Sequence, residues 1–239
     1  MSSPPPESQI VVHHLADSRS QRILWLLEEL ELSYEIKKYE RTQQRRAPNE
    51  LYDIHPLGKS PVITDGDLTI AESGAIVEYL LEKYGTEKNK VKVGTPEWQD
   101  NLYFTHYAEG SVQPLLVRKL MFTMIPENAP VLMQPVLHAV FHKLNSKLTD
   151  PELQLHATLI EKHLQKIKDT ADTKDWFAGG EHPTSADFMM SFTLEVFVRR
   201  SPEHVGPLIK AYVKRLQSRP AYKRAVEKGG QSLYLLEDS

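Results

Sequence analysis

Cysteine is absent from all 239 residues, so chemistry in this chain falls to serines, histidines, cations and carboxylates. That absence excludes disulfides, thiolate-held zinc, iron–sulfur clusters and a protein-borne cysteine nucleophile. Any thiol chemistry must use a thiol that a ligand brings in. Three short clusters in the first third of the chain hold the candidates. The first is Asp17-Ser18-Arg19-Ser20-Gln21-Arg22, between an apolar run and a helical pattern. A hydroxyl at a helix N-terminus lies among free N–H groups and the positive end of the helix dipole. Such a place favours a bound anion, a thiolate included. Ser18 equally suits the plain role of capping that helix, and Ser20 is its rival in either role.

The second cluster is His55-Pro56-Leu57-Gly58-Lys59-Ser60-Pro61-Val62. A proline directly before a strand removes a ladder donor. A cis Ser60–Pro61 bond would leave neighbouring backbone groups facing a ligand, whereas a trans proline at a sheet edge is the bland alternative. The third is Ala71-Glu72-Ser73-Gly74-Ala75-Ile76, a strand end entering a helix. Glu72 could receive an ammonium group or be a solvated acid at a helix start, and Ser73 could cap.

The elements that must position these clusters follow from periodicity. Ile10 to Leu15 reads as a buried strand, and Ile23, Leu26, Leu27 and Leu30 repeat at helical spacing. Tyr34 to Tyr39 alternates as a strand, and a short helical piece lies around Glu50 to Ile54. Pro61–Thr64 and Leu68–Ala71 flank Asp65-Gly66-Asp67, a hairpin signal. Ile76, Val77, Leu80, Leu81 and Tyr84 then mark a helix. The order is βαβαββα; its two crossovers imply parallel pairing at the start and an antiparallel hairpin at the end. Gly85 to Gly94 is a lysine-rich linker without period. Beyond it the pattern is all helical, with stripes at Leu153, Ala157, Ile160, Leu164 and Ile167 and at Val205, Leu208, Ile209, Tyr212 and Leu216. Asp187 to Val198 is apolar almost all round, the signature of a central buried helix.

Composition sets the class. Hydrophobic residues make up 40% and charged ones 26%, with 29 basic against 32 acidic residues and a net charge of -3. No basic surplus points to nucleic acid or an anionic membrane. No apolar run approaches the roughly 18–20 residues that span a bilayer. Met1 to Gln9 is Pro- and Ser-rich, lacks a secretory pattern, and reads as a short leader, so the cytoplasm is the expected compartment.

Together the clusters resemble the glutathione transferase superfamily. The run Val12-His13-His14-Leu15, then Ser18-Arg19-Ser20-Gln21-Arg22 to Leu30, is similar to its serine-type fungal and bacterial members. Gly180 and Pro183-Thr184-Ser185-Ala186-Asp187 resemble its folding motif, in which Thr184 caps the buried helix and Asp187 returns a bond. The likeness extends over essentially everything after residue 9. It implies a thioredoxin-like, glutathione-binding domain over 9–85, an all-helical domain over 95–230, and a homodimer with the helix near Glu72–Tyr84 facing its partner.

The resemblance also implies roles. Ser18, four residues before Arg22, would hold the glutathione sulfur. Lys59 and His55 would meet the glycine carboxylate, Val62 would pair with the cysteinyl backbone, and Glu72 and Ser73 would take the γ-glutamyl end. The second-substrate pocket would draw on Leu102 to Val112, with His106 and Tyr107 as candidates. The expected activity is conjugation of glutathione, as cosubstrate and with no cofactor, to hydrophobic electrophiles, with hydroperoxide reduction as a companion activity. The alternative is a non-catalytic binding or assembly module of the same fold. The chain departs from tyrosine-type members, having His13 and His14 near the strand end, and from cysteine-type ones. His138 and His142 stand one helical turn apart with no third ligand, so no metal is expected. His13 and His14 point to opposite faces of a strand. Arg45-Arg46 and the Lys88–Lys92 region read as solvated loop charge.

Overall fold

The computed structural model describes residues 10–170 and 175–236. The leader, residues 1–9, lies outside the described residues. The apolar run forms strand β1 (Ile10–Leu15), which the amphipathic helix α1 (Gln21–Glu29) links to β2 (Glu35–Tyr39). β1 and β2 pair in parallel, with Val12 opposite Ile36. The second connection differs from the expected crossover. Its only regular piece is a 3-10 turn at Asn49–Asp53, which does not carry the chain back along the sheet. Strand β3 (Val62–Asp65) therefore starts at the end where β2 finishes and runs antiparallel to β1, with His13 opposite Val62. A turn at Gly66, with φ +59°, returns it as β4 (Leu68–Ala71), and the sheet order is β2-β1-β3-β4. The Ser60–Pro61 bond is cis. Helix α2 (Ser73–Tyr84) then buries Ile76, Val77 and Leu80.

From Gly85 to Gly94 the regular structure is a single 3-10 turn at Glu87–Asn89. Thr95 accepts from Trp98 N at 3.2 Å and opens α3 (Pro96–Tyr107). A π turn at Ala108–Val112 carries α3 without a break into α4 (Gln113–Glu127). After α5 (Gln134–Leu144) a second π turn leads into α6 (Asp150–Thr170). All five residues of the α6 stripe are buried.

Helix α7 (Ser185–Arg200) is the centre of the helical part and is buried on every side from Ser185 to Val198. The capping box at Thr184 and Asp187 is formed. Asp187 is fully buried and accepts from Thr184 N, Phe177 N and Tyr212 OH at 2.9, 2.9 and 2.8 Å. Helices α8 (Pro207–Ser218) and α9 (Pro220–Gly229) close the bundle. Described residues continue past 230, the end expected for the helical part. Tyr234 packs on Phe192 at 5.3 Å, and Leu233 N donates to Asp17 Oδ1 at 2.9 Å.

One core joins the two parts. Trp25 of α1 lies against Phe188 of α7 at 4.6 Å, and against Trp176 and Tyr222 at 6.2 Å. Burying a ring of this kind contributes on the order of 1.5–3 kcal/mol. The rim of the contact is ionic. Glu28 meets Arg224 and Lys228, and Glu29 meets Arg219, at 2.7, 2.5 and 2.5 Å.

Candidate active site

Ser18 sits in the turn between β1 and α1, and its side-chain position is fixed by its neighbours. Its Oγ accepts from Ser20 N at 3.2 Å and lies 2.8 Å from Ser20 Oγ. Its oxygen thus closes a short turn onto Ser20, the residue at the N-cap of α1, and either of the two hydroxyls can donate in the bond between them. Ser18 lines a cleft of about 260 Å³. Ser20 is different. It was expected to cap, yet it has no side-chain cap bond; it is fully buried, bonded to His14 Nδ1 at 2.8 Å and donating to Leu15 O at 3.3 Å. A strand residue claims it, which a helix-cap reading does not foresee.

His14 is held neutral. Burial, with Lys38 adding to it and Asp17 opposing, lowers its pKa to about 4. His13 is shifted the same way, first by burial, and is bonded to Tyr39 OH at 2.9 Å.

A second cleft, of about 500 Å³, is lined by His55, Lys59, Glu72 and Ser73, and also by His106, which was expected in the second-substrate pocket and does not line the apolar cleft. Lys59 and Glu72 are exposed at opposite charge, which suits a ligand with a carboxylate at one end and an ammonium at the other. Glu72 holds φ +74°, unusual for a residue with a side chain, and strain of that kind clusters at ligand sites. Ser73 does not cap: α2 begins at it, and Glu72 occupies the cap position without a side-chain bond. The free N–H groups of that helix start therefore face the cleft beside Ser73 and Gly74. Val62 is fully buried, so only its main chain could serve a ligand, while Ser60 and Pro61 form the wall itself. The two clefts share Arg19, Lys59 and Ser60 and meet beside Ser18.

Tyr107 is a correction. It lines neither cleft; it is 6% exposed, packs edge-on to Phe104 at 5.6 Å, and its hydroxyl bonds His156 Nδ1. Aromatic spacing on a helix does not say which ring turns inward. The apolar wall comes instead from Leu116, Val117 and Leu120 of α4, Phe192 and Val196 of α7, and Tyr234. The helical repeats at 116, 117 and 120 and at 192 and 196 were the available signal. Also missed is an ionic clamp. Glu109, in the first π turn, takes Arg19 at 2.9 Å and the fully buried Arg22 at 2.6 Å.

Among the described residues, Asp150, Glu203 and His204 are the group with metal-like spacing. The Lys119 ammonium lies 2.9 Å from Asp150 and 2.6 Å from Glu203, where a cation would go. His138 and His142 are both exposed.

Comparison with known proteins agrees with this geometry. Residues 7–82 match the family model described as glutathione S-transferase, N-terminal domain. Glutathione S-transferase 3 of Schizosaccharomyces pombe is 33% identical over 92% of this chain and 87% of its own length. The chain belongs to the glutathione S-transferase family. Glutathione S-transferase 1 of Saccharomyces cerevisiae is 30% identical over 92% of the chain and 94% of its own. A crystal structure of a glutathione S-transferase from Actinobacillus pleuropneumoniae superposes with a TM-score of 0.70 at 30% identity, covering 94% of both chains. The family is a transferase family, and the transferase fold, a thioredoxin-like sheet with a helical C-terminal region, is the one described above. Among the described residues no helix is long and apolar enough to cross a membrane.

Proposed function

We propose that this transferase conjugates glutathione to electrophilic small molecules, adding alkyl or aryl groups to its sulfur, as a serine-type member of the family. The observation that supports it most is the Ser18 hydroxyl at the junction of the two clefts. Glutathione lies in the larger cleft. Its glycine carboxylate meets Lys59 and His55, its cysteinyl backbone pairs with Val62, and its γ-glutamyl ammonium and carboxylate meet Glu72 and Ser73 at the N-terminus of α2. The sulfur then stands at Ser18.

A free thiol ionises near pH 8.5. The Ser18 hydrogen and the N-terminus of α1 favour the thiolate and lower that value. Ser20 positions Ser18: its hydroxyl lies 2.8 Å from both His14 Nδ1 and Ser18 Oγ and donates to Leu15 O, leaving Ser18 to turn its own hydrogen toward the sulfur. The thiolate attacks an electrophilic carbon in the apolar cleft, forming a C–S bond as the leaving group departs with its electron pair. With a hydroperoxide in the same place the thiolate would attack the terminal oxygen, the O–O bond would break to release the alcohol, and the oxidised sulfur would form a disulfide with a second glutathione, releasing water. A detoxifying role in the cytoplasm, with a glutathione-binding domain over 9–85 and a helical domain over 95–230, completes the reading.

Calorimetric glutathione affinity followed by an aryl-halide conjugation assay tests it. Binding with saturable turnover is expected; binding without turnover of halide or hydroperoxide would favour the non-catalytic module. The protein is also expected to be a homodimer through α2, sedimenting well above its 27.4 kDa monomer at micromolar concentration.

A further inference from the structure

The apolar cleft beside Ser18 has a polar anomaly. Two side chains along it carry buried polar atoms with no partner: Gln113 Oε1 and Arg200 Nε. Gln113 is 4% exposed, and its amide opens α4 at the Ser18 end. Arg200 ends α7 two turns beyond Phe192, past Val196, so the three residues lie on one face of the helix. An unmet buried polar group costs stability unless something bonds it.

Positive charge gathers around the same place. Arg41 donates to the carbonyls of Ala16, Asp17 and Arg45 and has no carboxylate partner among the described residues. Among the described residues the Arg200 side chain donates only to Tyr234 OH, at 3.4 Å, and it stacks over that ring. Where the cleft opens outward past Leu120, Arg45 joins them. The opposing acids are Asp17, which accepts from Leu233 N, and Glu127 at the outer rim. Arg199 and Arg200 also suit the negative end of the helix dipole. The dipole accounts neither for the buried orphan on Arg200 nor for Gln113.

We propose that the second-substrate cleft selects electrophiles with an apolar body and a terminal anionic group, carboxylate, sulfonate or phosphate, held by Arg200. The inference rests on the conjugation reading above for the position of the reactive end. Phe192 and Arg200 are separated by about 12 Å of helix rise, and an arginine in a helix leans back toward the N-terminus. The anion therefore stands about 8–10 Å from the reacting carbon. Gln113 stands at the start of α4, and its unpartnered Oε1 accepts from an N–H or O–H of the body.

A matched pair tests this: 4-acryloylphenoxyacetate, an enone with a carboxylate at that reach, and its uncharged methyl ester. In either compound the sulfur bonds to the terminal alkene carbon, the alkene pair moves to the carbonyl oxygen as an enolate, and a proton from solvent completes the neighbouring carbon. The expected result is a kcat/KM about tenfold higher for the acid than for the ester, mainly through KM, shrinking as salt rises. In Arg200→Gln the ratio should fall to about one, and Arg200→Lys should restore part of it.

Equal rates for the pair in the unaltered protein would overturn the proposal, as would a preference that survives in Arg200→Gln. Calorimetry with the unreactive 4-propanoylphenoxyacetate and its ester separates this from the parent reading. Acid-selective binding without turnover of either enone would uphold the cleft assignment and sink conjugation; turnover without selectivity would do the reverse.

Discussion

Ser18 accepts from the backbone on one side and faces a cleft on the other, and Ser20, two residues on, has no such freedom. If the Ser18 hydrogen meets the thiolate, that charge-assisted bond contributes about 1.5–3 kcal/mol. One pKa unit is about 1.36 kcal/mol, so Ser18→Ala should raise the bound thiol by roughly one to two units. Conjugation at pH 7 should slow by roughly 10- to 100-fold, and the deficit should shrink at high pH, where the thiol ionises unaided. Ultraviolet difference absorbance of the bound thiolate reads the pKa; an unchanged titration would remove Ser18 from the chemistry. Ser20→Ala is not a mild control, because it leaves His14 and Ser18 without their shared partner. The place of Ser18 in the turn before α1 was legible from sequence, since that turn is set locally. The His14 contact was not, because nothing in a run of neighbours shows which strand atom a buried hydroxyl will meet. Tyr107 fails for the same reason, its fate being decided by His156 on another helix.

At the scale of elements, the π turn between α3 and α4 has a definite task. It presents Glu109 to α1, where the Arg22 side chain is 0% exposed and has that carboxylate as its counter-ion. Burial pushes the Arg22 pKa down, and Glu109 opposes it. Glu109→Ala therefore strands a buried guanidinium and should cost about 3–5 kcal/mol, read as a lowered urea midpoint. Glu109→Gln, which keeps an acceptor but not the charge, should fall between. The helices themselves were plain in the apolar spacing, as the α6 stripe and the all-round burial of α7 show. The clamp was hidden because Arg22 reads as a solvated helix residue until α3 and α7 close over it. The antiparallel entry of β3 was equally hidden, being set by how little structure the 40–61 connection forms.

For the whole molecule, acidity sets competing slopes. Burial lowers the pKa of His13, His14, His156 and His163, so these four side chains hold fewer protons in the folded chain than in the unfolded one below pH 6.5. Their contribution to stability is present above that pH and is lost as pH falls, down to about 4 for His14. Glu195 acts in the opposite sense. Buried on α7 beneath Tyr222 and Gln217, its carboxyl is pushed from 4.5 up to about 7. Between those values the folded state keeps a proton that the unfolded state has released, so stability falls as pH rises. Glu195→Gln should remove that slope. Its stability relative to the unaltered protein should grow from pH 4.5 to 7 by on the order of 3 kcal/mol, measured by urea unfolding at several pH values. A difference independent of pH would show that Glu195 ionises freely.

The contact between α1 and α9 has a consequence for synthesis. The inner face of the first helix is covered by one of the last, and Glu28 and Glu29 wait for Arg219, Arg224 and Lys228. A nascent chain thus emerges from the ribosome with the Ser18 turn already translated but its supporting wall still unmade. The inner face of α1, and the turn before it that carries Ser18, therefore gain their support only once the final turn of α9 is released.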